Sequence, residues 1–165
     1  MVLKPASYNF GPNRDESGII FLCLTEAKGG RSMQKGSVKK VVLIDDSDID
    51  LFIQKRFLEV NDFSAEIEMY NSANEAFKSL NKASSESAPD AIFLDLNMPD
   101  ADGFAFLKKF SSLPDSVTHK SRIVVLTSSE SNIDRDYVLS FHEVIHFITK
   151  PLTRSDIDDL KAIFE

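Results

Sequence analysis

From Lys39 onward the chain alternates short apolar runs with stretches of helical spacing, five times over. The runs are Val41-Val42-Leu43-Ile44, Ala91-Ile92-Phe93-Leu94, Ile123-Val124-Val125-Leu126 and Val144 to Ile148, and Ala65 to Tyr70 alternates apolar with polar residues well enough for a strand. Continuous runs rich in β-branched residues suit strands buried on both faces. Between them, Ile49, Phe52, Ile53, Phe57 and Val60 recur at helical spacing, and they are the expected apolar face of a first helix. Ser47 is placed to cap that helix, with Asp48 and Asp50 in its first turn. Ser72-Ala73-Asn74-Glu75 has the pattern of a capping box, opening a second helix through about Leu80. Phe104, Phe106, Leu107 and Phe110 mark a third helix. Ile133, Tyr137, Val138 and Phe141 mark a fourth. Thr153-Arg154-Ser155-Asp156 caps a fifth, with Ile157, Leu160 and Phe164 inward. Residues 83–89 and 113–120 read as loops. Strands alternating with helices predict an α/β fold: a parallel sheet with helices on both faces and right-handed crossovers.

The third run carries the most information. Four apolar residues lead into Asp95, and Asn97, Met98-Pro99 and Asp102-Gly103 follow. Pro99 cannot extend a ladder, and Asp-Gly signals a turn before a helix. Asp95 is therefore expected at the carboxyl end of a central strand, where open α/β sheets place their ligands.

Composition removes several alternatives. With 42% apolar and 27% charged residues, the chain has the mix of a soluble globular protein. A net charge of −7 argues against a DNA-binding surface, which needs a basic patch. A single cysteine, Cys23, excludes an internal disulfide and fits a reducing compartment such as the cytoplasm. No Cys/His spacing suits zinc.

Residues 1–36 read differently, as an N-terminal extension that is poorly ordered, with a domain expected over 37–165. Pro5, Gly11-Pro12, Gly18, Gly29-Gly30 and Gly36 punctuate the extension. It carries five basic and three acidic residues, against 14 basic and 23 acidic in the remainder. Its one apolar run, Ile19 to Leu24, is too short to span a membrane. It lacks a basic lead-in for secretion. Met33 is an alternative natural start.

In a parallel sheet all strand carboxyl ends share one edge. Here they supply Asp45, Asp46, Asp95, Thr127 and Lys150. Paired acids at a strand end also serve as helix caps, and Lys-Pro after a strand is an ordinary loop. The joint occurrence of all five at successive ends is what points to a site. Clustered carboxylates repel one another, and a hard divalent cation relieves this. Mg²⁺ suits an all-oxygen set completed by water and phosphate oxygen. Lys150 offers a point charge for a phosphoryl oxygen, and Thr127 a hydroxyl donor. The set reads as a site that accepts phosphoryl onto a carboxylate, with Asp95 as the nucleophile. His119, His142 and His146 are scattered and read as solvent or packing residues.

Taken together, Asp45-Asp46, Asp95 with Met98-Pro99 and Asp102-Gly103, Thr127 and Lys150-Pro151 resemble the signature of receiver domains of two-component response regulators, over about residues 38–165. The resemblance implies a flavodoxin-like, doubly wound, five-stranded parallel sheet of order 2-1-3-4-5. It implies that Asp95 takes phosphoryl from a phosphohistidine on a sensor histidine kinase or a histidine phosphotransfer protein. It further implies that Asp46, Asp95 and the backbone carbonyl of Asn97 ligate Mg²⁺, with Asp45 holding a metal-bound water. Lys150 would pair with Asp95 and then with the phosphoryl group. Thr127 and Phe147 would act as the switch pair. The chain ends at Glu165, just after the fifth helix, which implies a stand-alone, chemotaxis-regulator-like response regulator in a phosphorelay. It would not be an enzyme beyond assisting its own phosphorylation and dephosphorylation. Its output would be contact with a downstream protein, with no DNA and no membrane involved. The fourth helix, fifth strand and fifth helix would form that contact, and the same face would serve a homodimer.

Three other readings have discriminating residues. A phosphatase or phosphotransferase of the haloacid dehalogenase type needs an acid two residues after its nucleophile, and that position is Asn97. A flavodoxin that binds FMN needs a phosphate loop after the first strand, where Asp45-Asp46 would repel phosphate. A degenerate receiver that signals without phosphate would lack part of the residue set, and here the set is complete.

Overall fold

The computed structural model describes residues 38–99, 103–128 and 132–165, with only the backbone for 132–134. The expectation of an extension over residues 1–36 lies outside the described residues, as does Asp102 of the turn after Asp95.

The described residues form five strands and six helices, alternating except that α4 follows α3: β1 Val38–Ile44, α1 Asp48–Val60, β2 Ser64–Tyr70, α2 Ala73–Leu80, β3 Ala91–Asp95, α3 Gly103–Phe110, α4 Asp115–Thr118, β4 Arg122–Thr127, α5 Asn132–Leu139, β5 Val144–Thr149 and α6 Arg154–Phe164. All strand pairs are parallel, and the order across the sheet is β2-β1-β3-β4-β5. β1 and β3 pair in register from Val41↔Ala91 to Ile44↔Leu94. Asp45 and Asp95 therefore leave the same edge of the sheet, each just past the paired apolar run.

Side-chain alternation along the strands divides the core into two layers. On one face Val42, Ile44, Ile92, Leu94, Ile123 and Val125 pack against α2, α3 and Val138 of α5. On the other, Val41, Leu43, Phe93, Val124 and Leu126 pack against Leu51 and Leu58 of α1 and Ile157 and Leu160 of α6. Phe63 closes this second layer, edge-on to both Phe93 and Phe164. The order and the two covered faces are those of the doubly wound, flavodoxin-like fold.

Three local expectations change. The stripe Ile49, Phe52, Ile53 and Val60 does not face the core; these residues are 72%, 68%, 57% and 52% exposed. At about 100° per residue they lie opposite Leu51, Gln54 and Leu58, which are the buried face. Only Phe57 of the expected set packs inward, and only in part. The sequence holds two stripes at helical spacing, and the less apolar one is buried, with Leu51 and Leu58 in the core and Gln54 donating to Asp45. Secondly, the loop after Leu113 contains a helical turn, α4, with Pro114 at its N-cap position and Asp115 in its first turn. The helix expected as the fourth is therefore α5, and the fifth is α6. Thirdly, Ser72 stands at the N-cap of α2 but makes no side-chain cap bond. Thr153 and Asp156 do form the reciprocal capping box of α6.

Candidate active site

Gly103 opens α3 directly against the end of β3. A Cβ there would lie 2.4 Å from the Asp95 carbonyl oxygen and 2.7 Å from Leu96 Cα. Both are backbone atoms and cannot swing away. The Asp-Gly pair therefore does more than mark a turn, because its glycine lets the helix start against the strand that carries Asp95.

Asp45, at the end of β1, is buried and fully bonded. Its Oδ1 accepts the Ser47 backbone N–H at 3.0 Å, and its Oδ2 accepts from Gln54 Nε2 at 2.8 Å and Lys150 Nζ at 2.7 Å. Asp95, also buried, accepts the Asn97 backbone N–H on Oδ1 at 3.0 Å and Lys150 Nζ on Oδ2 at 2.7 Å. Asp46 is exposed beside them, and one carboxylate oxygen from each of the three acids lies within 4.8 Å of the others.

Lys150 follows β5, whose end is tied to β4 by the Lys150 N–H donating to the Thr127 carbonyl at 2.9 Å. The Lys150–Pro151 peptide is cis. The third bond of the ammonium goes to Asp50 Oδ2 in the first turn of α1, at 2.9 Å. Burial pulls the Lys150 pKa down, but Asp45, Asp95 and Asp50 more than reverse this, so it stands above the usual lysine range. Thr127 is fully buried at the end of β4, and its Oγ1 accepts from Asn97 Nδ2 at 3.2 Å. The same Asn97 amide donates to Ser128 Oγ at 3.1 Å. Phe147 is partly buried in β5, with the Arg135 guanidinium 5.7 Å from its ring centroid.

The strand ends thus bring together Asp45, Asp46, Asp95 and Lys150, with Thr127 joined through Asn97. Phe147 sits apart, under α5. Sequence reasoning missed Gln54, the side chain of Asn97 and the bond from Asp50 to Lys150. A polar residue in phase with Leu51 and Leu58 was the available signal for Gln54. Among the described residues, none of the three histidines is bonded to Asp45, Asp46 or Asp95.

A doubly wound parallel sheet with an acid cluster and a lysine at its carboxyl edge is the arrangement expected of a receiver domain. The chain belongs to the response regulator receiver domain family, whose model matches residues 41–162. It is 29% identical over 122 residues to the hybrid signal transduction histidine kinase L of Dictyostelium discoideum, covering 73% of this chain but only 7% of that protein. The structure resembles a two-component response regulator from Cytophaga hutchinsonii at 27% identity and a TM-score of 0.70, covering 78% of this chain and 97% of that one. It shares its fold, at 16% identity and a TM-score of 0.62, with the receiver domain of a Pseudomonas aeruginosa sensor histidine kinase, over 78% of this chain and 98% of that one. That receiver carries a magnesium ion coordinated in its active-site cleft.

Proposed function

We propose that this receiver accepts a phosphoryl group on Asp95 from the phosphohistidine of a sensor histidine kinase or histidine phosphotransfer protein in the cytoplasm, and signals by protein contact. The observation that carries this is the bonding of one ammonium, Lys150, to the carboxylates at the ends of β1 and β3. A cluster that served only as helix caps would not need a lysine from a third strand.

The donor set fits Mg²⁺. All its atoms are oxygens, three acids converge, and Asp46 opens to solvent, where metal-bound waters would lie. Asp46, Asp95 and the Asn97 carbonyl would hold the ion, and Asp45 one of its waters. When bound it supplies charge neutralisation for the phosphoryl oxygens. The chain's own groups do the rest. One Asp95 oxygen forms the bond to phosphorus while the bond from phosphorus to the imidazole nitrogen breaks, and the imidazole takes up a proton. The Asn97 N–H and Lys150 fix the plane of the attacking carboxylate. Lys150 then turns its Asp95 bond toward a phosphoryl oxygen. Thr127 turns its hydroxyl from the Asn97 amide toward another. Its shift leaves space that Phe147 fills by changing rotamer, altering the face of α5, β5 and α6. No further reaction is assigned beyond loss of the phosphoryl group to water.

The exposed stripe of α1 supports the partner assignment. Ile49, Phe52 and Ile53 form an apolar rim one helical turn from the acids. A helix of the histidine-bearing partner laid on this rim would bring its imidazole to Asp95.

Acetyl phosphate with Mg²⁺ should label the wild type at Asp95 and leave Asp95→Asn unlabelled. Labelling of the variant at the wild-type rate would reject the assignment.

A further inference from the structure

Asp50 differs from the other acids of the site. It sits on the flank of α1, between the buried face of Leu51, Gln54 and Leu58 and the exposed stripe. Its side chain is 41% exposed, against 1% for Asp45 and 6% for Asp95. It is not among the three acids whose oxygens converge for a metal, yet it accepts from Lys150 Nζ at 2.9 Å. An ammonium has three N–H donors, and here Asp45, Asp95 and Asp50 take one each.

Two of these partners change during phosphoryl transfer. On the receiver reading Asp95 would become the acyl phosphate, and Asp45 would hold a water of the cation. Asp50 alone stays outside both events. We propose that Asp50 is a positioning residue: it holds the Lys150 ammonium on the α1 side of the site, so that the ammonium does not close over Asp45 and Asp95 when the cation enters. The proposal rests on the receiver reading given above. Without Asp50 the ammonium has only Asp45 and Asp95 as partners. It already bonds both at 2.7 Å, and with no third acceptor to draw it aside it competes with Mg²⁺ for them. The role is carried through Lys150, so Asp50 matters only while that ammonium is present.

A double-mutant cycle on Mg²⁺ binding tests this, using calorimetric titration of the full chain in wild type, Asp50→Ala, Lys150→Met and the double variant. Asp50→Ala should weaken Mg²⁺ binding by about three- to tenfold in the wild-type background, and by less than about twofold in Lys150→Met. Its thermal midpoint should stay within a few degrees of wild type, since the side chain is half-exposed. Equal losses in both backgrounds would mean that Asp50 acts through its charge alone, and would overturn the proposal; so would no loss in the first. Labelling with acetyl phosphate, run alongside, separates the two levels. If wild type is not labelled at Asp95, the receiver reading falls, and with it the purpose of the anchor, whatever the cycle shows.

Discussion

Lys150 is the residue on which the site turns. Its pKa stands above the ordinary value of 10.5 because three carboxylates outweigh its burial. A raised folded-state value stabilises the fold in full below about pH 10.5 and is lost as the pH climbs through the raised value. Urea unfolding from about pH 7 to 11 should therefore show wild type losing stability at the alkaline end more steeply than Lys150→Met. At pH 7 the same substitution leaves buried Asp45 and Asp95 without their counter-charge, and should cost about 3 kcal/mol. Gly103→Ala is a harder test of the strand end. The new methyl would overlap the Asp95 and Leu96 backbone, so about 1–3 kcal/mol should be lost in denaturant unfolding, with slower labelling of Asp95. At this scale the sequence was most legible where residues end strands. Asp45, Asp46, Asp95, Thr127 and Lys150 follow apolar runs directly, so the parallel sheet alone places them on one edge. Gln54 was signalled only by its phase with Leu51 and Leu58, while the bond from Lys150 to Asp50 and the amide shared between Thr127 and Ser128 depend on side-chain reach and loop path, which no local pattern encodes.

Among the elements, α1 departs furthest from its sequence pattern. Counting apolar residues selects Ile49, Phe52, Ile53 and Val60, while the core selects Leu51 and Leu58. Substitution distinguishes the two faces. Leu58→Ala should destabilise by about 2–5 kcal/mol, because Leu58 is fully buried. Phe52→Glu with Ile53→Glu should stay near neutral in urea unfolding and leave labelling by acetyl phosphate intact. The same pair should suppress transfer from a phosphohistidine donor, measured by loss of label from that donor. Unimpaired transfer would remove α1 from the docking surface. The strands and the other helices gave less trouble, because turn residues follow the strands and α3 and α6 each bury the apolar stripe that their sequence shows. The four-residue α4 is too short for periodicity to reveal.

For the whole molecule, the fold class was legible because five strand–helix alternations leave few topologies, and the observed order is one of these. Linkage between site and fold gives the prediction at this scale. A ligand that binds only the folded state raises stability with its concentration. Mg²⁺ should therefore raise the melting temperature of wild type, and Asp46→Ala should blunt that rise. In the absence of metal, Asp46→Ala should be no less stable than wild type, since it removes one of three mutually repelling acids. Beryllofluoride with Mg²⁺, a mimic of the phosphoryl group, should slow or quicken amide exchange across residues 135–164. Identical exchange in both states would break the proposed path from Thr127 through Phe147.

The bond between Lys150 and Asp45 spans 105 residues of chain. During synthesis the first four strands of the sheet emerge before the lysine that pairs with the acids at their edge. A nascent chain stopped after Thr127 holds Asp45, Asp46 and Asp95 with no ammonium among them, so its central strands meet against repulsion. β5, which pairs with β4 at the edge of the sheet, brings the lysine that follows it to those acids. Under the proposed function, the ammonium that would meet the phosphoryl oxygens is thus supplied by the same strand that completes the sheet.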